Sequence, residues 1–188
     1  VANPNSPFGF RPVSRVGGGP WSINQYGKPS TDGNYAIFVN DMCQKAASSV
    51  ADPTGAGNPM PGVQSGANGS PGTGPWLGPS LNWGAISTAT PHYVADEADL
   101  IMIAQTDGTT SITTASHVGK NANILLTAGS ATTKMSQHTI NHTGIATTNS
   151  LDFRLIAVTN EQPNAEGVYA IVEVVCNTHF YAPKSTGT

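Results

Sequence analysis

The sequence predicts a mainly β protein, a compact β-sandwich or β-barrel-like domain with an extended N-terminal arm and a long Gly/Pro-rich loop. Three observations predict it. Only 10% of the 188 residues are Asp, Glu, Lys or Arg, against roughly 25% in ordinary soluble domains, while 21 Gly and 14 Pro replace helix formers with turn formers. No segment sustains the 3.6-residue apolar period of a helix. The last third of the chain alternates apolar and polar residues with the two-residue period of a strand.

The length suits one domain, and it is sufficient for a true hydrophobic core. Residues 1–34 read as the arm. Pro4, Pro7, Pro12, Pro20 and Pro29 block helix and interrupt sheet ladders, and Gly17, Gly18 and Gly19 loosen the chain. Phe8, Phe10, Trp21 and Tyr26 give the same segment apolar anchors, as expected of an arm lying across its own domain or a neighbour. Residues 35–182 form the β domain and 183–188 a tail.

Within the domain, "NYAIFVND" (34–41) predicts a first strand with Tyr35, Ile37 and Val39 on one face. "MCQKAASSVAD" fits a short helix or a second strand. Residues 53–79 are mostly Gly, Pro, Ser and Asn, with Met60, Val63, Trp76 and Leu77 as packing points, and read as an elaborated surface loop. "HYVADEADLIMIAQ" places two apolar runs on either side of Asp96, Glu97 and Asp99. "SITTASHVGKNANILL" and "KMSQHTINHTGIA" predict Thr-rich strands with tight connections. "LDFRLIAVTN" sets Leu151, Phe153, Leu155 and Ala157 on one face with Asp152 and Arg154 opposite. "TNEQPNAEG" supplies a hairpin-like connection to a strand in which Val168, Ala170, Val172, Val174 and Cys176 share a face.

Charge and cysteine usage narrow the function classes. A net charge of -3 with no basic patch argues against direct nucleic-acid binding, and so low a charge density suits a chain that covers its surface in an assembly. Cys43 and Cys176 lie far apart in apolar surroundings, match no disulfide framework or zinc spacing, and are expected as free buried thiols. The N-terminal residues resemble no secretory signal, and no run reaches the roughly 18 apolar residues of a membrane span.

Candidate chemistry is sparse. Asp96, Glu97 and Asp99 could be a glycosidase pair or a hard-cation site. Adjacent carboxylates in a strand point to opposite faces, however, and no turn glycine or further ligand completes a calcium loop, so a polar corner between strands is favoured, paired with a neighbour's cation. His138 and His142, with His117 upstream, would stand about 13 Å apart in a strand, too far to chelate one ion. The residue after His138 is not Glu, as the metalloprotease pattern would need. There is no G-x-S-x-G, and Gly17, Gly18 and Gly19 neither follow a strand nor open a helix. No catalytic residue, metal site or cofactor is expected. Trp76, Trp83 and Tyr93 could serve as a glycan platform or an inter-subunit contact, although anchoring of the long loop accounts for them more simply.

The order of four landmarks resembles that of a group of tailed-bacteriophage virion proteins. The opening "NPNSPFGFRPV" resembles their Asn-Pro, Pro-Phe-Gly and Arg-Pro start. "AIFVND" and "YVADEADLIMIAQ" resemble their next strand and their acidic, Gln-terminated segment. "LDFRLIAVTNEQPNAEGVYAIVEVVCNTHFY" resembles their closing strands, which end in Asn-x-His. The resemblance covers both ends and the middle of the chain, and leaves 53–79 and 109–147 unmatched. It implies a capsid decoration, or cement, protein: a compact β domain with an N-terminal arm on the outer capsid surface of the virion, bound to the major capsid protein and to itself, as a trimer by preference or a dimer. Phe8, Phe10, Arg11 and Trp21 would then carry the partner contacts. A carbohydrate-binding surface module is the second reading, and a hydrolase using the acidic trio the third.

Overall fold

The structure, a computed structural model, describes residues 3–27, 36–45, 63–65, 75–85, 91–159 and 164–182, with 63–65 as backbone only. Its strands in chain order are β1 (Arg11–Arg15), β2 (Asn24–Gly27), β3 (Met42–Lys45), β4 (Val63–Ser65), β5 (Trp76–Pro79), β6 (Pro91–Val94), β7 (Leu100–Gln105), β8 (Asn121–Leu125), β9 (Thr139–Ala146), β10 (Phe153–Val158) and β11 (Ile171–Cys176). A single helical turn, α1 (Thr114–His117), precedes β8. The protein is mainly β, as its composition and periodicity predict.

Six strands form one antiparallel sheet in the order β1-β7-β11-β10-β8-β9, and two smaller sheets follow the orders β2-β6 and β4-β3-β5. The large sheet curls toward closure: Ile140 of β9 bridges Thr106, just past the end of β7. Its centre is the hairpin legible in the sequence. β10 and β11 pair antiparallel, with Leu155 opposite Val174 and Phe153 opposite Cys176, and β11 then pairs with β7, Val174 opposite Met102. Ala170, Val172, Val174 and Cys176 are buried as the two-residue period requires. With Leu100, Met102, Ala104, Ala122, Ile124, Ile140, Phe153 and Leu155 they make the main core. A second cluster of Tyr26, Ile37, Cys43, Leu77 and Val94 lies at the small sheets.

Several expectations are refined or corrected. Residues 11–15 of the N-terminal segment lie on the chain's own domain, one of the two placements expected for it, and do so as regular sheet: β1 is an edge strand of the large sheet, paired with β7 from Arg11 opposite Ile103 to Arg15 opposite Leu100. Pro12 is tolerated there because an edge strand leaves one row of backbone groups unpaired, and the register shifts between Pro12 and Ser14. Gly9, just before β1, has φ +77, and a Cβ there would collide with the Asn40 carbonyl and Ser136. The Pro-Phe-Gly landmark therefore marks a close backbone approach that only glycine permits.

Residues 36–40 are not a regular strand: Ile37 bridges Gly84, Val39 bridges Met135, and Asn40 turns the chain at φ 67. Residues 42–45 take the strand alternative, as β3. Part of the 53–79 segment is ordered sheet, since β4 and β5 flank β3; 53–62 and 66–74 lie outside the described residues, as does the tail 183–188. The Thr-rich stretch near 114 is helical for one turn. Asp152 precedes β10 and turns inward, 2% exposed, where it accepts hydrogen bonds from Thr178 Oγ1 (3.3 Å) and the Ile124 N–H (3.5 Å).

Candidate functional site

The acidic corner joins two sheets. β6 belongs to the two-stranded sheet and β7 to the six-stranded one, so residues 95–99 cross between them. Each carboxylate of this crossing is turned onto residues 15–26. Asp96, 5% exposed, accepts from Asn24 Nδ2 at 2.9 Å and from the Tyr26 hydroxyl, which also lies 3.2 Å from the Tyr181 hydroxyl. Glu97 accepts from the Ser22 N–H (3.0 Å) and Oγ (2.8 Å), and its Oε2 lies 2.7 Å from Arg15 Nε. Asp99 accepts from Arg15 Nε and Nη2, both at 3.1 Å.

Electrostatics follow this geometry. The hydrogen bond to Asp99 raises the Arg15 pKa. Burial, reinforced by the bond to Asp96, pushes the Tyr26 hydroxyl far above its ordinary value. The cation expected from a neighbour is the chain's own Arg15. The trio is a clasp that fastens the stretch after β1 to the body of the protein.

Of the expected partner contacts, Phe10 is fully buried and stacks on Phe153 with ring centroids 4.7 Å apart. It is committed to the chain's own core, which corrects its assignment to a neighbour. Trp76 is likewise fully buried, 6.4 Å from Phe153, and is available neither to a glycan nor to another subunit. Both rings are large apolar surfaces beside a sheet face, and burial against that face outweighs exposure. Trp21 is half-buried and packs on the main core. Phe8 lies half-buried beneath the Arg11 guanidinium, 5.6 Å from ring centroid to Cζ. Trp83 is 38% exposed with the Lys134 ammonium 4.3 Å over its ring, and Tyr93 is 44% exposed.

The remaining landmarks also act inside the chain. Gln105, which closes the acidic segment, donates to Pro4 O (2.8 Å) and Tyr169 O (3.1 Å) and accepts from the Ser6 N–H (3.0 Å). Asn3 donates to Ala165 O (2.8 Å) and accepts from the Ala165 N–H (2.9 Å). An apolar cleft of about 140 Å³ between these segments is lined by residues that include Pro4, Phe8, Tyr169 and Ile171. In the closing Asn-x-His, Asn177 donates to Leu151 O (3.2 Å), and His179 donates from Nε2 to Leu77 O (2.6 Å) while its Nδ1 accepts from the Tyr181 N–H (3.1 Å). Burial lowers the His179 pKa.

The other histidines divide into two environments. His138 is fully buried, accepts the Met42 N–H at Nδ1 (3.3 Å), and holds Nε2 3.5 Å from Asp41 Oδ1. Burial depresses its pKa, only partly offset by Asp41. His142 is half-buried and meets His117, Nε2 to Nε2, at 3.3 Å. Strand geometry rightly separates His138 from His142 in role, but the partnership with His117 is visible only after α1 and β9 are packed together. Among the described residues no group of three or more His, Cys, Asp or Glu is placed to hold a metal ion.

Sequence reasoning missed the outward apolar residues of the N-terminal segment, Val13 (37% exposed), Val16 (56%) and Ile23 (53%), and the exposed Tyr181 near the C-terminus. No aromatic ring drew notice to the first three. Among the described residues, no helix is long and apolar enough to cross a membrane. Neither a protein-family model, nor a curated protein, nor a solved structure matches the chain.

Proposed function

We propose that this protein is a structural component of a virion, a capsid decoration protein that binds the outer surface of a major capsid shell as a homo-oligomer, a trimer by preference. The observation that carries the reading is the N-terminal segment. It is pinned by the β1–β7 ladder and the acidic clasp, yet it turns Val13, Val16 and Ile23 outward. A rigid segment with exposed apolar residues pays little ordering entropy when a protein surface covers it. Low charge density and the ordered phage-type landmarks favour the same reading. Many weak contacts repeated over a symmetric shell become collectively strong. Arg11 and half-buried Phe8 and Trp21 lie in the same segment, whereas burial withholds Phe10 and Trp76 from a partner.

The test uses shells stripped of the protein. Mass spectrometry of intact virions should find the chain, and purified chain should rebind the shells in gradient sedimentation. Val13→Asp with Val16→Asp should weaken rebinding at least tenfold while circular dichroism stays unchanged. Wild-type chain that fails to rebind, or a folded double variant that rebinds in full, would overturn the proposal. A glycan-binding module is supported only by the exposed rings of Trp83 and Tyr93, and a glycan array probed with Trp83→Ala distinguishes it.

A further inference from the structure

We propose that His117 and His142 form a two-histidine binding site for a tetrahedral divalent metal ion, zinc foremost, that ties α1 to β9. Their facing Nε2 atoms are 3.3 Å apart. Two imidazole nitrogens bound at about 2.0–2.1 Å to one tetrahedral ion stand about 3.3–3.4 Å apart. The chain already holds this spacing, so an ion can enter without moving the backbone. A square-planar ion would draw the pair to about 2.9 Å and require the rings to shift.

The surrounding hydrogen bonds suit ligation. His117 Nδ1 lies 3.1 Å from the Thr113 carbonyl oxygen. The Thr113 N–H lies 3.1 Å from the same nitrogen, so the ion-free ring accepts at Nδ1 and carries its proton on Nε2. With an ion at Nε2 the proton sits on Nδ1 and donates to the carbonyl, the arrangement in which a backbone carbonyl orients a metal-bound histidine. Among the described residues His142 Nδ1 has no hydrogen-bond partner. In the ion-free chain one Nε2 donates to the other, and an ion that binds the pair takes the place of that shared proton. The Asp107 carboxylate adds negative potential at His142. Both rings are half-buried, which leaves solvent to complete the coordination sphere. Imidazole nitrogen favours zinc and its neighbours in the transition series over calcium or magnesium, which take oxygen ligands.

The ligands come from positions 25 residues apart, one on the isolated helical turn and one on the last strand of the large sheet. A bound ion would therefore cross-link two elements that are otherwise held by few contacts, and it would stabilise the folded state in proportion to its occupancy.

The experiment is a zinc titration of the full chain by calorimetry, with histidine ring resonances followed by NMR and thermal unfolding measured in parallel. One ion should bind per chain, the His117 and His142 resonances should shift while those of His138 and His179 stay in place, and the unfolding temperature should rise with zinc. His117→Gln and His142→Gln should each weaken binding at least tenfold and abolish the zinc-dependent rise. Since both positions are half-buried, the two variants are expected to fold, as circular dichroism will report. No saturable binding up to about 1 mM zinc, or equal binding by both folded variants, would overturn the proposal and leave the pair as a hydrogen bond between neutral rings.

Discussion

The ring of Phe10 lies stacked on that of Phe153, centroids 4.7 Å apart and planes 29° from parallel. This contact joins the residue before the first strand to the first residue of β10. It makes the N-terminal segment part of the core and sets the terms on which its role can be tested.

Phe10→Ala should cost about 3–5 kcal/mol, the usual consequence of emptying a buried aromatic site. Urea unfolding followed by tryptophan fluorescence measures it. Removal of residues 1–34 should leave a chain that does not fold cooperatively, because it takes away both Phe10 and the β1 ladder. Deletion is thus unsuited to testing partner contacts, and substitutions at Val13 and Val16 are the appropriate probes.

The acidic clasp should respond unequally to substitution. Tyr26→Phe leaves the buried Asp96 carboxylate short of one donor and should cost about 1–3 kcal/mol. Asp99→Asn changes a partly exposed pair with Arg15 and should leave global stability nearly unchanged. Hydrogen exchange resolved by peptide should show faster exchange in residues 15–27 for Tyr26→Phe and little change elsewhere.

His138 should make the fold sensitive to acid. Burial depresses its folded-state pKa below the usual 6.5, so between that value and the folded pKa the unfolded chain binds more protons than the native one. Stability is then fully present above about pH 6.5 and falls as the pH drops through that window, by up to about 1.4 kcal/mol per pH unit for the single group. His138→Asn keeps an acceptor for the Met42 N–H but cannot titrate. Its urea midpoint should vary less between pH 7.5 and 5.5 than that of the wild type.

Cys43 and Cys176 are free and buried, and burial raises both thiol pKa values, that of Cys176 to about 12. With so little thiolate and so little access, neither should react with a disulfide reagent in the native protein at neutral pH. Both should react in denaturant. Rapid native labelling of either would contradict the packing.

The hairpin of β10 and β11 was legible in the sequence because alternating apolar residues in adjacent antiparallel strands need only local information to find their face. The β6 and β7 segments were legible as short apolar runs on either side of the acidic corner, and the mainly β class was legible from composition. Phe10 was misread as a contact residue, and Trp76, read first as a packing point, kept a contact role as its alternative, because an aromatic ring in a Pro- or Gly-rich stretch has the same local pattern whether it caps a core or meets a partner. Nor could the sequence expose the clasp: Asp96, Glu97 and Asp99 announce themselves as rare charges, but their donors Ser22, Asn24 and Tyr26 have no pattern of their own.

The sequence by itself determined the mainly β class, the strands of the β10–β11 hairpin and the free thiols, since these depend on composition and on the two-residue period. Tertiary structure alone decided that the N-terminal segment joins the large sheet, that the acidic trio closes onto it, and that His117 meets His142. Each of those outcomes depends on which distant segments share a sheet or a corner, and side-chain chemistry becomes a site only when packing brings its partners within hydrogen-bonding reach.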